Sequence, residues 1–138
     1  MSWWGPYVGL PFVPRGRDRT GLDCWGLARM VYASELAIDL PSFDAISPIE
    51  ARRVATEMES ARDVPPWHAV DQPRAFDMLL MAGRPGGRVA LHVGVMVDAT
   101  HVLHTFKGQN SCVLPLKHHF IAPLVLGWQR HQDAPSEV

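Results

Sequence analysis

The chain has 138 residues, 47% of them hydrophobic, which is enough to close one modest core. Its 13 basic and 14 acidic residues leave a formal charge of -1, so no overall field draws it to nucleic acid or to an anionic membrane surface. No apolar run approaches the roughly 20 residues that span a bilayer, and Met1 leads into Ser2-Trp3-Trp4-Gly5-Pro6 without the charged-then-apolar pattern of a signal peptide. Two cysteines, Cys24 and Cys112, permit one disulfide at most and are expected to be free thiols. The expectation is a single soluble domain over residues 1–138, made in the cytoplasm without an export signal.

Residues 1–20 scatter Trp3, Trp4, Tyr7 and Phe12 among Gly5, Pro6, Gly9, Pro11, Pro14 and Gly16, which breaks both helix and strand periodicity. They read as an extended arm whose rings cover one end of the core. A helix follows, N-capped by Asp23, with Cys24 in its first turn and Leu27, Ala28 and Val31 on the stripe below the sulfur. It should run to about Leu36 and must stop before Pro41. Ser47-Pro48-Ile49-Glu50 is a capping box opening a second, peripheral helix through about Arg62. The segment from Val64 to Pro73 reads as a loop.

From Phe76 the pattern becomes that of strands: 76–81, 89–97, 102–106, 112–116 and 124–128, joined by turns and completing an antiparallel sheet. Along 89–97, alternation puts Val89, Leu91, Val93, Val95 and Val97 on one face and Ala90, His92, Gly94 and Met96 on the other. Gly94 beside His92 is expected to leave room for the helix that carries Cys24. The tail from Gln132 to Val138 is polar and expected to fray.

A thiol at a helix N-terminus, a His on a facing strand and a polar group that orients that His make the arrangement a cysteine nucleophile needs. The positive helix end favours thiolate. His104 is the best third member, with His101 and Asp98 as rivals. Arg15, Arg17 and Arg19 precede the thiol, and alternation along an extended segment points the three the same way. Arg17 or Arg19 is therefore expected to line the Cys24 cleft and hold a substrate carboxylate.

Three blocks, Asp23-Cys24-Trp25-Gly26-Leu27, His92-Val93-Gly94-Val95 and Val102-Leu103-His104, resemble those of the NlpC/P60 cysteine peptidases, whose members cleave peptide stems of peptidoglycan. The order matches, as does the step of 12 residues from His92 to His104. The resemblance implies an α+β, permuted papain-like fold, with Cys24 as nucleophile, His92 as general base and His104 as the orienting residue. It also places Asp23 and Trp25, which flank the nucleophile, at the substrate. Gly16-Arg17-Asp18-Arg19-Thr20-Gly21 before Asp23 is most like the branch of phage and prophage tail clusters, which implies tail-tip proteins as partners and a virion-associated site of action on the cell wall.

Two positions depart from the family pattern. Phe12 stands where many members have a Tyr whose hydroxyl helps bind the oxyanion, and Trp25 stands where a small hydroxyl residue is common. A tail-assembly or wall-binding protein that keeps the fold without turnover is the competing reading. A metal site of Cys24, His92 and His104 has no CxxC or HExxH spacing behind it, and no cofactor is implied.

Overall fold

The computed structural model describes residues 2–40 and 66–135, so the helix expected over 47–62 lies outside the described residues. The lead-in is more than an arm: Arg17–Asp18 (β1) and Gly21–Leu22 (β2) pair as a small antiparallel hairpin. The aromatic rings do cover the core, with Trp3 stacked on Phe76 at 4.4 Å between centroids and Tyr7 buried. Ser111 holds the arm in place, exchanging backbone hydrogen bonds with Gly9 and Leu10 and donating its hydroxyl to the Tyr7 carbonyl.

Helix α1 spans Cys24–Val31 and continues as a π-helical segment over Tyr32–Leu36, which ends at Ala37 in a left-handed conformation. The expected stop at Leu36 is therefore met. Leu27, Ala28 and Val31 are fully buried, and sealing one such aliphatic side chain contributes about 2 kcal/mol.

Six strands form one antiparallel sheet in the order β3-β8-β4-β5-β6-β7: Trp67–Val70 (β3), Met78–Ala82 (β4), Ala90–Met96 (β5), His101–His104 (β6), Cys112–Pro115 (β7) and Val125–His131 (β8). Strand β3 falls where a loop was expected. Its short Trp-His-Ala-Val run has no periodicity of its own and is held by pairing with β8, Trp67 opposite His131.

The two faces of the sheet carry separate clusters. Val93, Val95, Val97, Leu103, Met78 and Leu80 pack against α1, while Leu79, Met81, Met96, Val102, Ile121 and Leu124 fill the other face. This corrects the expectation for Gly94, because a Cβ there would meet Val102 Cγ2 at 2.6 Å and Met81 Cε at 3.3 Å. The close approach at Gly94 is by the neighbouring strand on the face away from the helix, and the valine face is the one that receives α1.

Strands β4 and β8 are tied by a buried ion pair. Both carboxylate oxygens of Asp77 accept from Arg130, Oδ1 from Nε at 2.8 Å and Oδ2 from Nη2 at 2.6 Å, and the Asp77 side chain is 1% exposed. The Tyr32 hydroxyl meanwhile donates to the Phe76 carbonyl, joining the helix to the same corner. Replacing Asp77 by Ala strands the Arg130 guanidinium, and a loss of about 3 kcal/mol is expected in chemical denaturation monitored by tryptophan fluorescence.

Candidate active site

Asp23 begins the site. Its Oδ1 accepts from the Gly26 amide at 2.8 Å, the expected N-cap, and from Arg17 Nη1 at 2.7 Å, while Oδ2 accepts from the Arg15 amide at 3.0 Å. One carboxylate thus defines the start of α1 and ties the preceding hairpin to it. The fit leaves no room for side chains: a Cβ on Gly26 would lie 2.1 Å from the Gly16 carbonyl oxygen.

Cys24 and His92 line one pocket of about 440 Å³, together with Phe12, Arg15, Asp23, Leu91, Phe106 and Lys107. Strand parity alone would carry His92 away from the helix, onto the face of Gly94 and Met96. His92 keeps that parity, opposite Met81, and still lines the pocket with Cys24 at the end of the regular ladder; next to it Met81 pairs with His92 and Ala82 with Ala90, so Leu91, which also lines the pocket, is the extra residue of a bulge. Bulges bend a strand and re-aim its side chains. The thiol itself reaches β5 at the Val93 amide, which hydrogen-bonds it.

The His92 ring stacks on Phe106, with centroids 4.2 Å apart and an interplanar angle of 12°. His104 meets the same phenyl ring edge-on at 4.8 Å, and its Nε2 lies 3.5 Å from Cys112 Sγ. His92 Nε2 and His104 Nδ1 are both buried without a hydrogen-bond partner among the described residues. The rival third members sit elsewhere. His101 turns to Asp98 and Thr100 at the β5–β6 turn, with its side chain 42% exposed.

Several expectations for substrate contacts change. Trp25 is 5% exposed within the core under α1 and does not line the pocket. Arg17 does not line it either, being engaged with Asp23 and the Gly16 carbonyl. Arg19 donates to the Pro6 carbonyl at 2.6 Å, away from the thiol. The reason is local backbone shape: Arg15 has φ 61 and residues 17–22 form a hairpin, so alternation does not run through this segment. Arg15 is the arginine at the pocket, joined by Lys107 from the far side, a residue that carries no signal in the sequence. Phe106 was legible in principle, since continuing the Val95–Leu103 register sets it opposite His92.

Burial decides the electrostatics. It pushes the Cys24 thiol up to about 11, with the Asp23 charge adding to the rise and the Val93 and Trp25 amides and Arg17 opposing it. Burial pushes His92 down to about 3, helped by the nearby His104, and His104 down to about 4. Both shifts favour the neutral forms, a thiol and an imidazole, against the thiolate expected from the helix end. Among the described residues, no group of three or more His, Cys, Asp or Glu is disposed to hold a metal ion. Because the thiolate fraction grows with pH up to the pKa, Cys24 alkylation by iodoacetamide should be slow at neutral pH and rise about tenfold per pH unit, read by peptide mass spectrometry. A rate that levels off near neutral pH would contradict this electrostatic account.

Comparison with known proteins places this geometry. A search of curated protein sequences finds no match. Among solved structures, the chain is similar to the NlpC/p60 domain of the peptidoglycan hydrolase SagA, at 25% identity and a TM-score of 0.58, covering 90% of this chain and 88% of that one. It shares its fold with an NlpC/P60 family protein from Bacillus cereus ATCC 10987, at 21% identity and TM-score 0.67, and with a lipoprotein-like NLP/P60 family protein from Staphylococcus aureus subsp. aureus Mu50, at 21% and 0.64. In each of these two cases 91% of this chain is covered, against 37% and 38% of the other. The model of the NlpC/P60 family matches residues 9–130, nearly the whole chain, and with the Cys-bearing helix packed on its antiparallel sheet the chain belongs to the NlpC/P60 family of cysteine peptidases.

Proposed function

We propose that the chain hydrolyses an amide bond in the stem peptide of peptidoglycan, with Cys24 as nucleophile, His92 as general base and His104 as the residue that orients His92. The observation that carries this reading is the shared pocket of Cys24 and His92 at the N-terminus of α1. His92 Nε2 is buried without a partner, and on this reading it serves His104 while Nδ1 serves the thiol. It takes the Sγ proton as sulfur attacks the carbonyl carbon, and returns that proton to the leaving amine as the acyl-enzyme forms; water then releases the acid.

The Phe106 face receives the transient imidazolium, a cation over an aromatic ring. The oxyanion is held by the Cys24 amide and the positive helix end, because Phe12 lines the pocket without a hydroxyl to donate. The peptidoglycan substrate is supported by family membership and by the likeness to the domain of a peptidoglycan hydrolase.

Digestion of purified peptidoglycan, followed by mass spectrometry of the released fragments, tests the reading: new amine and carboxyl ends should appear with the wild-type chain and vanish with Cys24→Ala. Identical fragment patterns for the two would replace the enzyme with a fold-retaining wall-binding protein. Arg15 and Lys107 flank the pocket as cations and fit a substrate carboxylate. Arg15→Ala should raise KM for a stem peptide with a free carboxylate about tenfold while leaving its amidated counterpart nearly unchanged. Equal losses on both would mean that Arg15 only shapes the loop.

The finer placement, in a phage or prophage tail, is supported by the likeness of Gly16-Arg17-Asp18-Arg19-Thr20-Gly21 to that branch. On this reading the chain acts at the cell wall from the tail tip. Immunogold labelling of intact virions induced from the source strain should then decorate the tail tip, and particles without label would remove this placement.

A further inference from the structure

Cys112 is the second thiol of the chain and has no part in the chemistry above. It stands directly opposite His104 in the β6–β7 register, and its sulfur lies 3.5 Å from His104 Nε2. The other nitrogen of that ring, Nδ1, is buried and unpartnered, as is Nε2 of His92, and both rings pack against Phe106. Two sealed nitrogens on neighbouring rings are a high-cost arrangement unless one donates to the other when the site works.

A neutral imidazole carries one proton, so what one nitrogen does dictates the other. If His92 Nδ1 is to accept the Cys24 proton, His92 must hold its own proton on Nε2, and His104 Nδ1 must be the acceptor for it. His104 then carries its proton on Nε2, facing the Cys112 sulfur. We infer that Cys112 is a positioning residue: its sulfur accepts a hydrogen bond from His104 Nε2–H, selecting the His104 tautomer that can in turn orient His92.

The opposite polarity, with the Cys112 S–H donating to His104 Nε2, would put the His104 proton on Nδ1 and leave His92 with Nδ1–H toward the thiol, unable to act as base. A thiol can accept at its sulfur or donate its S–H, and the role of His92 selects between them, because only acceptance at the Cys112 sulfur leaves His92 Nδ1 free to act as base. The inference rests on the proposed roles of Cys24, His92 and His104, and it predicts a tautomer that can be read without any substrate.

The test uses the full chain labelled with nitrogen-15, and long-range proton–nitrogen NMR spectra of the histidine rings at neutral pH, with the His104 signals assigned by their loss in His104→Phe. In the wild type His104 should be protonated on Nε2 alone. Cys112→Ala, a change at a half-buried position on an edge strand, should give a mixture of tautomers and lower kcat roughly fivefold to tenfold with KM unchanged, as loss of one ordinary hydrogen bond predicts. Cys112→Ser, whose hydroxyl oxygen can also accept, should restore both. A wild-type His104 protonated on Nδ1, or a Cys112→Ala chain with unchanged tautomer and kcat, overturns the inference while hydrolysis that depends on Cys24 leaves the proposed function standing. A wild-type chain that does not hydrolyse peptidoglycan overturns the function, and this role with it.

Discussion

The Asp23 carboxylate is the constraint on which the active site depends. It accepts from three donors at once, the Gly26 amide, the Arg17 guanidinium and the Arg15 amide, and so couples the start of the nucleophile helix to the hairpin before it. Capping satisfies a helix N–H that has no partner within the helix. The guanidinium, 12% exposed, neutralises a carboxylate that is itself 15% exposed. With both ends of this clamp in place, the Gly16 carbonyl settles against Gly26 and Cys24 is directed to the β5 backbone.

The clamp has an electrostatic consequence. A carboxylate next to the Cys24 thiol opposes thiolate formation, in the same direction as burial, while the Val93 and Trp25 amides and Arg17 act the other way. His92 is likewise held neutral, by burial and by His104. The pocket is lined by Arg15, Lys107 and Asp23, the last tied to Arg17, while Cys24 and His92 are both shifted toward their neutral forms. In the proposed reaction, charge develops on Cys24 and His92 as the thiol gives up its proton, beside helix amides and the Phe106 ring that can stabilise it.

The second feature of the site is strand β5, with a bulge at Leu91 next to His92. The sheet keeps its two faces apart, with valines toward α1 and Gly94, Met96 and Val102 away from it. His92 has the parity of Gly94 and Met96 and pairs with Met81, yet it lines the pocket with Cys24. The extra residue, Leu91, turns Ala90 onto the valine face and itself lines the pocket that Cys24 and His92 share. His92, Phe106, His104 and Cys112 then form a contiguous row from that pocket to the edge strand.

What could be read from the residues alone was whatever depends on near neighbours. The Asp23 cap, the helix through Leu36 and the main strands of the sheet follow from capping chemistry and side-chain period, and the order of three short blocks pointed to Cys24 and His92, which the structure places in one pocket. The short hairpin at residues 17–22 and strand β3 escaped, because two-residue and four-residue strands have too little pattern and exist through their partners. The same limit applies to side-chain direction. Alternation presumes an unbroken strand, and it failed at Leu91, where a bulge intervenes, and at Arg15, where the backbone turns left-handed, so that Arg15 and Lys107 rather than Arg17 and Arg19 reached the pocket. Protonation was also beyond local reading. The sequence by itself determined which groups could react, whereas only the tertiary structure decided which pocket they share and in which direction burial shifts them, because facing and burial are set by contacts between residues far apart in the chain.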